Sequence, residues 1–383
     1  MRLIAQVSAT LLAVALWCLA SLAASAATYP LTVTDFAGRK VTIAVEPQRI
    51  ALQDGRDSMM LALLDRDNPF RRVVIWNNLL ARQDAPTWQV MLKKWPEAAK
   101  IPDMGFSDDG EVNPEDLVAS RPQLVIAEAR ALPSLRDAGV IDRLAALNIP
   151  LLFVDTFSKP VPDAQQSVEL LGQVLNKESE AAAYNDFYAA HLKHLTDTIA
   201  GEKTRPRIFV EALAGSQGPE QCCFTHGSIG WGALVQAIGA ENIGSKLVPG
   251  ASGDVTLETV LAAQPDVYVF SGRQSGAKAT AMVPLGYGAN PANVAAAMQR
   301  LEARPGFPAL KAAQDGRVYA LWHLFYSHPY NIVALEWLAK MAYPQALADL
   351  DPAKTWNEII AQFTEIPQAP SILEAQAPAL GDK

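Results

Sequence analysis

The side chains of this sequence best placed to do chemistry are arginines, histidines and aromatics that stand just past short apolar runs. Arg56, Arg130 and Arg273 each follow such a run closely, as do Trp76, His226, Trp231, Trp322 and Tyr326. A guanidinium pairs bidentately with carboxylate or catecholate oxygens, and a planar aromatic offers a large π or apolar face at low entropic cost. Together these eight residues suit the lining of a pocket for a bulky, partly anionic ligand. Each also has a plainer reading: the tryptophans as core packing at strand ends, the arginines as solvated surface charge.

Histidine divides into two groups. His226, His323 and His328 fall in expected loops, whereas His191 and His194 lie three apart on a helix, where a solvated face is the simpler reading. Capture of a bare metal ion demands three or four ligands closing with metal geometry. The loops offer few, so direct metal binding is an alternative reading and no metal ligands are assigned. The adjacent Cys222 and Cys223 could form a vicinal disulfide or stay as two buried thiols, and no paired C-x-x-C zinc spacing exists.

Catalytic motifs do not emerge. There is no G-x-S-x-G. GRQSGAKAT (residues 272–280) departs from the phosphate-cradling G-x-x-x-x-G-K-[ST], because Ala277 intervenes and the glycine spacing is short. GSIGWG (residues 227–232) has its glycines at the wrong intervals for a dinucleotide loop. The expectation is therefore a binding protein, not an enzyme, with no catalytic cofactor. A formal net charge of −8 argues against a nucleic-acid partner.

The elements that must hold these residues alternate short apolar runs with helix-like stretches, the pattern of parallel sheets covered by helices. The expected fold class is α/β, with mainly parallel sheets in two lobes and a ligand cleft between them. Candidate strands are 49–52, 72–76, 123–127 and 150–155 in the first half, and 207–213, 266–271 and 317–322 in the second. The halves echo each other: VNPEDLVASRPQLVI (residues 112–126) aligns with VTLETVLAAQPDVYVF (residues 255–270). Both carry an acidic first helical turn, a proline that stops the helix, and an apolar strand. Arg49-Ile50 and Arg207-Ile208 open a strand in each half. Between them, residues 163–200 show helical spacing, with a break expected around Gly172 and Lys177-Glu178. The connector is expected to be a single long, stiff helix, dividing the chain into lobes at 27–162 and 201–383.

The segment VTDFAGRKVTIAVEPQRIALQ (residues 33–53) resembles the opening of periplasmic binding proteins for iron complexes, haem and cobalamin. The likeness rests on Thr34-Asp35, Gly38-Arg39 and Arg49-Ile50, and continues through 113–126, GAENIG (residues 239–244) and 256–269. It implies two α/β lobes joined by a long helix, a ligand between them, and delivery of that ligand to the permease of an ABC transporter in the inner membrane. In such open α/β folds ligands sit beyond the carboxyl ends of the strands, where the eight residues above are placed. The expected ligand is a metal chelate, a ferric siderophore carrying its own iron; haem or cobalamin is the alternative. His226 and Tyr326 are metal-ligand candidates on loop position alone, since the His226 loop does not match the family's histidine position.

Arg2, an apolar run at residues 11–22 and the small residues Ala24-Ser25-Ala26 read as a secretory signal peptide over residues 1–26, cleaved before Ala27. The run is shorter than the roughly 20 residues a spanning helix needs. Trp17 precedes Cys18 where a lipid-attachment signal requires a small residue. A monomer in the periplasm is the expected product.

Overall fold

The structure is a computed structural model, described here for residues 28–104, 113–274 and 281–378. The expected signal peptide, with Cys18, and the expected new amino terminus at Ala27 lie outside the described residues. A hairpin of β1 (Leu31–Thr34) and β2 (Lys40–Ile43) leads into β3 (Ile50–Leu52), β4 (Val73–Trp76), β5 (Leu124–Glu128) and β6 (Leu151–Val154). These last four form one parallel sheet in the order β4-β3-β5-β6. The second half contributes β7 (Arg207–Glu211), β8 (Phe224–His226), β9 (Glu241–Asn242), β10 (Ser252–Asp254), β11 (Val267–Gly272), β12 (Gly286–Tyr287), β13 (Val318–Trp322), β14 (Ser371–Ile372) and β15 (Glu374–Gln376). Its main sheet runs β15-β13-β11-β7-β9, parallel except for β15, which pairs antiparallel with β13. The fold is α/β, and every strand expected from the sequence is present, with bounds shifted by a residue or two. Strands such as LLFV and VYVFSG read as continuous apolar runs because helices bury both faces of a parallel sheet.

The order β4-β3-β5-β6 is repeated as β9-β7-β11-β13, so the sequence echo is a repeat of topology. Its physical content is a clamp. In each half a helix is capped at its start, by Asn113 Oδ1 on the amides of Glu115 and Asp116 and by Thr256 Oγ1 on the amide of Thr259. Each helix is followed by a residue of positive φ directly before the proline, Arg121 at 47° and Gln264 at 45°. The carbonyl of that residue accepts from the arginine that opens the neighbouring strand: Arg49 Nε donates to Arg121 O at 3.1 Å, and Arg207 Nη1 to Gln264 O at 3.3 Å. One residue past the proline, Gln123 N donates to Arg49 O at 2.7 Å and Asp266 N to Arg207 O at 2.8 Å. The side chains of Gln123 and Asp266 in turn accept from the amides of Arg49 and Arg207. Two differently spelled segments thus make the same set of bonds.

The connector has the break expected around Gly172 and Lys177-Glu178, so the one long helix is its second part. The two parts are the helices Pro160–Val174 and Glu178–Ile199. Asn176 adopts a left-handed φ of 57° and Lys177 N donates to Gly172 O at 2.7 Å, which is a Schellman stop that satisfies an orphan carbonyl and turns the chain. The helices then pack on each other, with Asn185 Nδ2 donating to Gln165 O. Gly172 sits at the contact: a Cβ there would lie 2.6 Å from Ala181 Cβ. The second helix is tied to the other half through Tyr184 Oη on Pro329 O and Tyr188 Oη on Asn331 Oδ1, both at 2.6 Å.

Gly172→Ala should therefore force the two connector helices apart and cost about 1–3 kcal/mol in urea unfolding. Gly201→Ala, where an added Cβ meets nothing within 4 Å, should stay within about 0.5 kcal/mol of the parent. Equal effects of the two substitutions would show that this contact is not tightly packed.

Candidate functional site

The loops past β3, β5 and β6 of the first sheet meet those past β7, β11 and β13 of the second around a cavity of about 260 Å³. The first half supplies Asp54, Arg56, Asp57, Glu128 and Arg130 and, past β6, Thr156 and Phe157. The second supplies Leu213, Arg273, His323, Tyr326 and Ser327. Asp54 is the hub. Its carboxylate accepts from Arg56 Nε at 3.0 Å, from Arg56 Nη2 at 2.5 Å and from Arg130 Nη2 at 2.6 Å. Arg273 reaches across from the second half and donates to the backbone carbonyl of Gln83, whose side chain also receives Arg56 Nη1 at 3.2 Å.

Protonation sets the charge of this cavity. Burial opposes ionisation of Asp54, but the adjacent Arg56, its hydrogen bonds and Arg130 outweigh that and hold the carboxyl well below its usual range. Burial, followed by the charges of Glu128 and Asp54, pushes Asp57 well above it. Glu128, which accepts from Thr156 Oγ1 at 2.7 Å, is pushed up to about 7, by burial foremost and against the pull of Arg130. His323 is buried and held neutral by desolvation, with Arg273, His226 and Arg56 adding to the shift. Three guanidiniums thus face one firmly ionised carboxylate, Asp54, and two carboxyls, Asp57 and Glu128, whose ionisation burial and their neighbours' charges oppose. The cavity carries net positive charge and suits an anion.

Residues 76–322 match a protein family described as periplasmic binding protein. The chain belongs to that family. Its members of the iron-complex, haem and cobalamin type are solute-binding proteins that serve ABC importers, as the sequence resemblance implied. Among solved structures, this binding protein is similar to the TroA-like periplasmic binding protein FepB from Veillonella parvula, at 26% identity and a TM-score of 0.81, over 91% of this chain and 100% of that one. It shares its fold with the molybdate-binding MolA of Haemophilus influenzae, at 20% identity and a TM-score of 0.66 over 89% and 100% of the two chains. A periplasmic haem-binding protein from Pseudomonas aeruginosa has the same fold at 17% identity and a TM-score of 0.54, covering 87% and 98%. No curated protein sequence matches closely enough to carry an argument. Among the described residues no helix is long and apolar enough to cross a membrane.

Of the eight residues expected to line the site, the structure brings Arg56, Arg130, Arg273 and Tyr326 into the cavity wall of the binding protein. The three tryptophans are corrections. Trp76, Trp231 and Trp322 are fully buried and lie in the core. Trp76 packs edge-on against Phe70 and Trp88, and Trp322 against Phe325 and Trp356. Trp76 and Trp322 are the last residues of their strands, so their side chains still stand perpendicular to the sheet and enter the helical layer. Trp231 lies on the helix Gly230–Ala237 with its face turned inward. His226 is also one layer back. It stacks edge-on behind Tyr326 at 5.1 Å, accepts from the amide of Trp231 at 3.2 Å, and burial lowers it to about 4. Gly230, at a φ of 48°, is required beside it, since a Cβ would approach His226 Nδ1 to 2.6 Å.

Sequence reasoning missed Asp54, Asp57, Thr156 and Phe157. All four stand directly after a strand of the first sheet, on the same edge that singled out Arg56. Glu128 and His323, also in the wall, stand in the expected loops beside Arg130 and Tyr326 but are not among the eight.

The position of Glu128 gives a pH dependence with a definite sign. Its folded-state pKa of about 7 lies above its ordinary 4.5, so between these values the folded protein holds a proton that the unfolded chain has lost. The contribution of Glu128 is therefore least unfavourable below about 4.5 and worsens as pH rises through about 7. Glu128→Gln, which keeps the acceptor for Thr156, should gain stability relative to the parent between pH 5 and pH 8, by a few kcal/mol at most. Urea unfolding of both proteins at the two pH values checks this, and an unchanged difference would place the titration of Glu128 elsewhere.

Proposed function

We propose that this periplasmic binding protein captures an anionic metal chelate, a ferric siderophore, between its two halves and hands it to the permease of an ABC importer. The observation that carries the reading is the convergence of Arg56 and Arg130 from one half and Arg273 from the other on a single positively charged cavity, with Phe157 and Tyr326 as its aromatic wall. Guanidiniums from both halves can close bidentately on the oxygens of one chelate. Iron enters as part of the cargo, and the protein itself needs no cofactor and performs no reaction in this reading. Haem and cobalamin are the alternative cargoes, since Leu213, Phe157 and Tyr326 also give the wall apolar surface. The protein acts as a monomer in the periplasm, with residues 1–26 removed on export, one lobe formed by 27–162, a helical connector by 163–200, and the other lobe by 201–383.

A second reading rests on the cavity's size. About 260 Å³ lies just below the range of sites that enclose drug-sized ligands, roughly 300–1,000 Å³. A compact oxyanion fills such a space, and the fold relative MolA is described as bound to molybdate. A siderophore must instead insert its anionic core and leave its periphery in the cleft mouth.

Calorimetric titration with a ferric tris-catecholate, ferric citrate, haemin, cyanocobalamin and molybdate separates these readings. Binding of the ferric chelates supports the first and binding of molybdate alone the second, while uptake of only haemin or cyanocobalamin overturns both. Against the ligand that binds, Arg56→Ala, Arg130→Ala and Arg273→Ala should each cost about 2–5 kcal/mol, or roughly 30-fold to several thousand-fold in affinity. Trp322→Ala should act through folding, losing about 3–5 kcal/mol of stability. Wild-type affinity in all three arginine variants would show that the ligand sits elsewhere.

A further inference from the structure

A second cavity of about 260 Å³ lies beside the first, with Leu213 in the wall of both. Its lining includes Glu211, Gln221, Cys222, Cys223 and Asp254, none of which lines the ligand cavity. Cys222 and Cys223 are joined as a vicinal disulfide, one of the two alternatives that the sequence left open. One sulfur of each and a carboxylate oxygen of Glu211 all lie within 4.8 Å of one another, the sole such group of metal-ligating atoms among the described residues. Tyr268 Oη is 3.4 Å from Cys223 Sγ and donates to Glu211 Oε2 at 2.6 Å.

The backbone around the pair is held from both sides independently of the sulfur bond. Arg304, buried against Glu211 at 2.7 Å, donates from Nε to Pro219 O and from Nη2 to Gln221 O, just before the cysteines. On the other side Cys223 and Val255 exchange both backbone bonds, at 2.6 and 2.9 Å. Opening the disulfide therefore leaves two thiols anchored side by side on the wall of a cavity, with the carboxyl of Glu211 and the phenol of Tyr268 as oxygen partners.

We propose that Cys222, Cys223 and Glu211 form a redox-gated site for a trivalent thiophilic ion of arsenite type. A thiol reductant first exchanges with the disulfide, Cys–S–S–Cys + 2 RSH → 2 Cys–SH + RS–SR, so the protein sulfurs are reduced and the reductant is oxidised. Arsenous acid then condenses with the pair, As(OH)₃ + 2 Cys–SH → (Cys–S)₂As–OH + 2 H₂O, forming two As–S bonds and breaking two As–O bonds with no change of oxidation state. The product is neutral, which a buried site tolerates, and its remaining hydroxyl is placed to bond Glu211 and Tyr268. A tetrahedral ion such as zinc asks for four donors, and this cluster offers three, one of them already engaged by Arg304. Trigonal As(III) needs no more than the cluster has.

The test loads the secreted protein lacking residues 1–26, in which Cys222 and Cys223 are the remaining cysteines, with arsenite before and after reduction by 2-mercaptoethanol and anaerobic desalting. Elemental mass spectrometry should find one arsenic per reduced chain and essentially none on the oxidised one. Cys222→Ser should bind roughly 100-fold or more weakly, the loss expected when two tethered donors become one. A reduced chain that takes up no arsenic overturns the proposal, as does a disulfide that the thiol leaves intact. Arsenic retained by the Cys222→Ser/Cys223→Ser protein would overturn it equally, and the comparison of oxidised with reduced parent needs no variant to fold.

Discussion

Guanidinium groups cannot be gathered in one cleft without a counter-charge, and Asp54 is the residue that makes the gathering possible here. Like charges some 4 Å apart repel by about 4 kcal/mol even at an effective dielectric of 20. By accepting from Arg56 and Arg130 together, Asp54 turns that repulsion into two charge-assisted pairs. It can do so because it follows β3, a central strand of the first sheet, whose neighbour β5 delivers Arg130 to the same edge. The carboxylate offsets only one charge. With the ionisation of Asp57 and Glu128 opposed by burial, the cavity is left short of negative charge, and an incoming anion supplies what the protein withholds.

That arrangement needs two sheets whose carboxyl edges face one another, and the repeated topology provides them. The shared bonds of Arg49 and Arg207 fix where the first strand of each sheet begins relative to the central one. Register at the amino ends of the strands then decides which loops come level at the carboxyl ends, some four or five residues later. The arginines of the clamp are far from the cavity in function yet set its geometry.

The strands, the repeat and the family were legible because buried parallel strands spell near-continuous apolar runs, and because the capping residue, the proline and the arginine recur at fixed offsets. The edge strands β9 and β15, of two and three residues, are too short for any periodicity to register. In the site the carboxyl-edge rule pointed to the right loops but not always to the right side chains. Residues past a strand, such as Asp54, Arg130 and Phe157, project over the edge. Those still within it, such as Trp76 and Trp322, alternate between faces and are claimed by the core. The connector turn was legible as a break at Gly172 and Lys177, but its consequence was not: only the left-handed Asn176 makes one rod into a packed pair.

The bonds that cross between the halves fall into two groups with different duties. Away from the cavity, Tyr330 Oη donates to Met59 O at 2.8 Å, Asn331 Nδ2 to Pro160 O at 2.9 Å, and Tyr188 holds Asn331 in place. All three are buried, so breaking them would strand polar groups without water, which is costly. Over the cavity Thr156 Oγ1 donates to Ser327 O at 3.2 Å, Gly230 N to Phe157 O at 3.0 Å, and Arg273, a guanidinium only partly buried, to the carbonyl of Gln83. A neutral carbonyl is a weaker partner for Arg273 than an anion. Opening the halves about the buried group therefore gives up bonds at the mouth, among them the replaceable one of Arg273, and keeps the costly ones at the hinge. Because that replaceable bond uses the same guanidinium that would pair with the ligand, capture of an anion and closure over it draw on one interaction, and neither can be strengthened without changing the other.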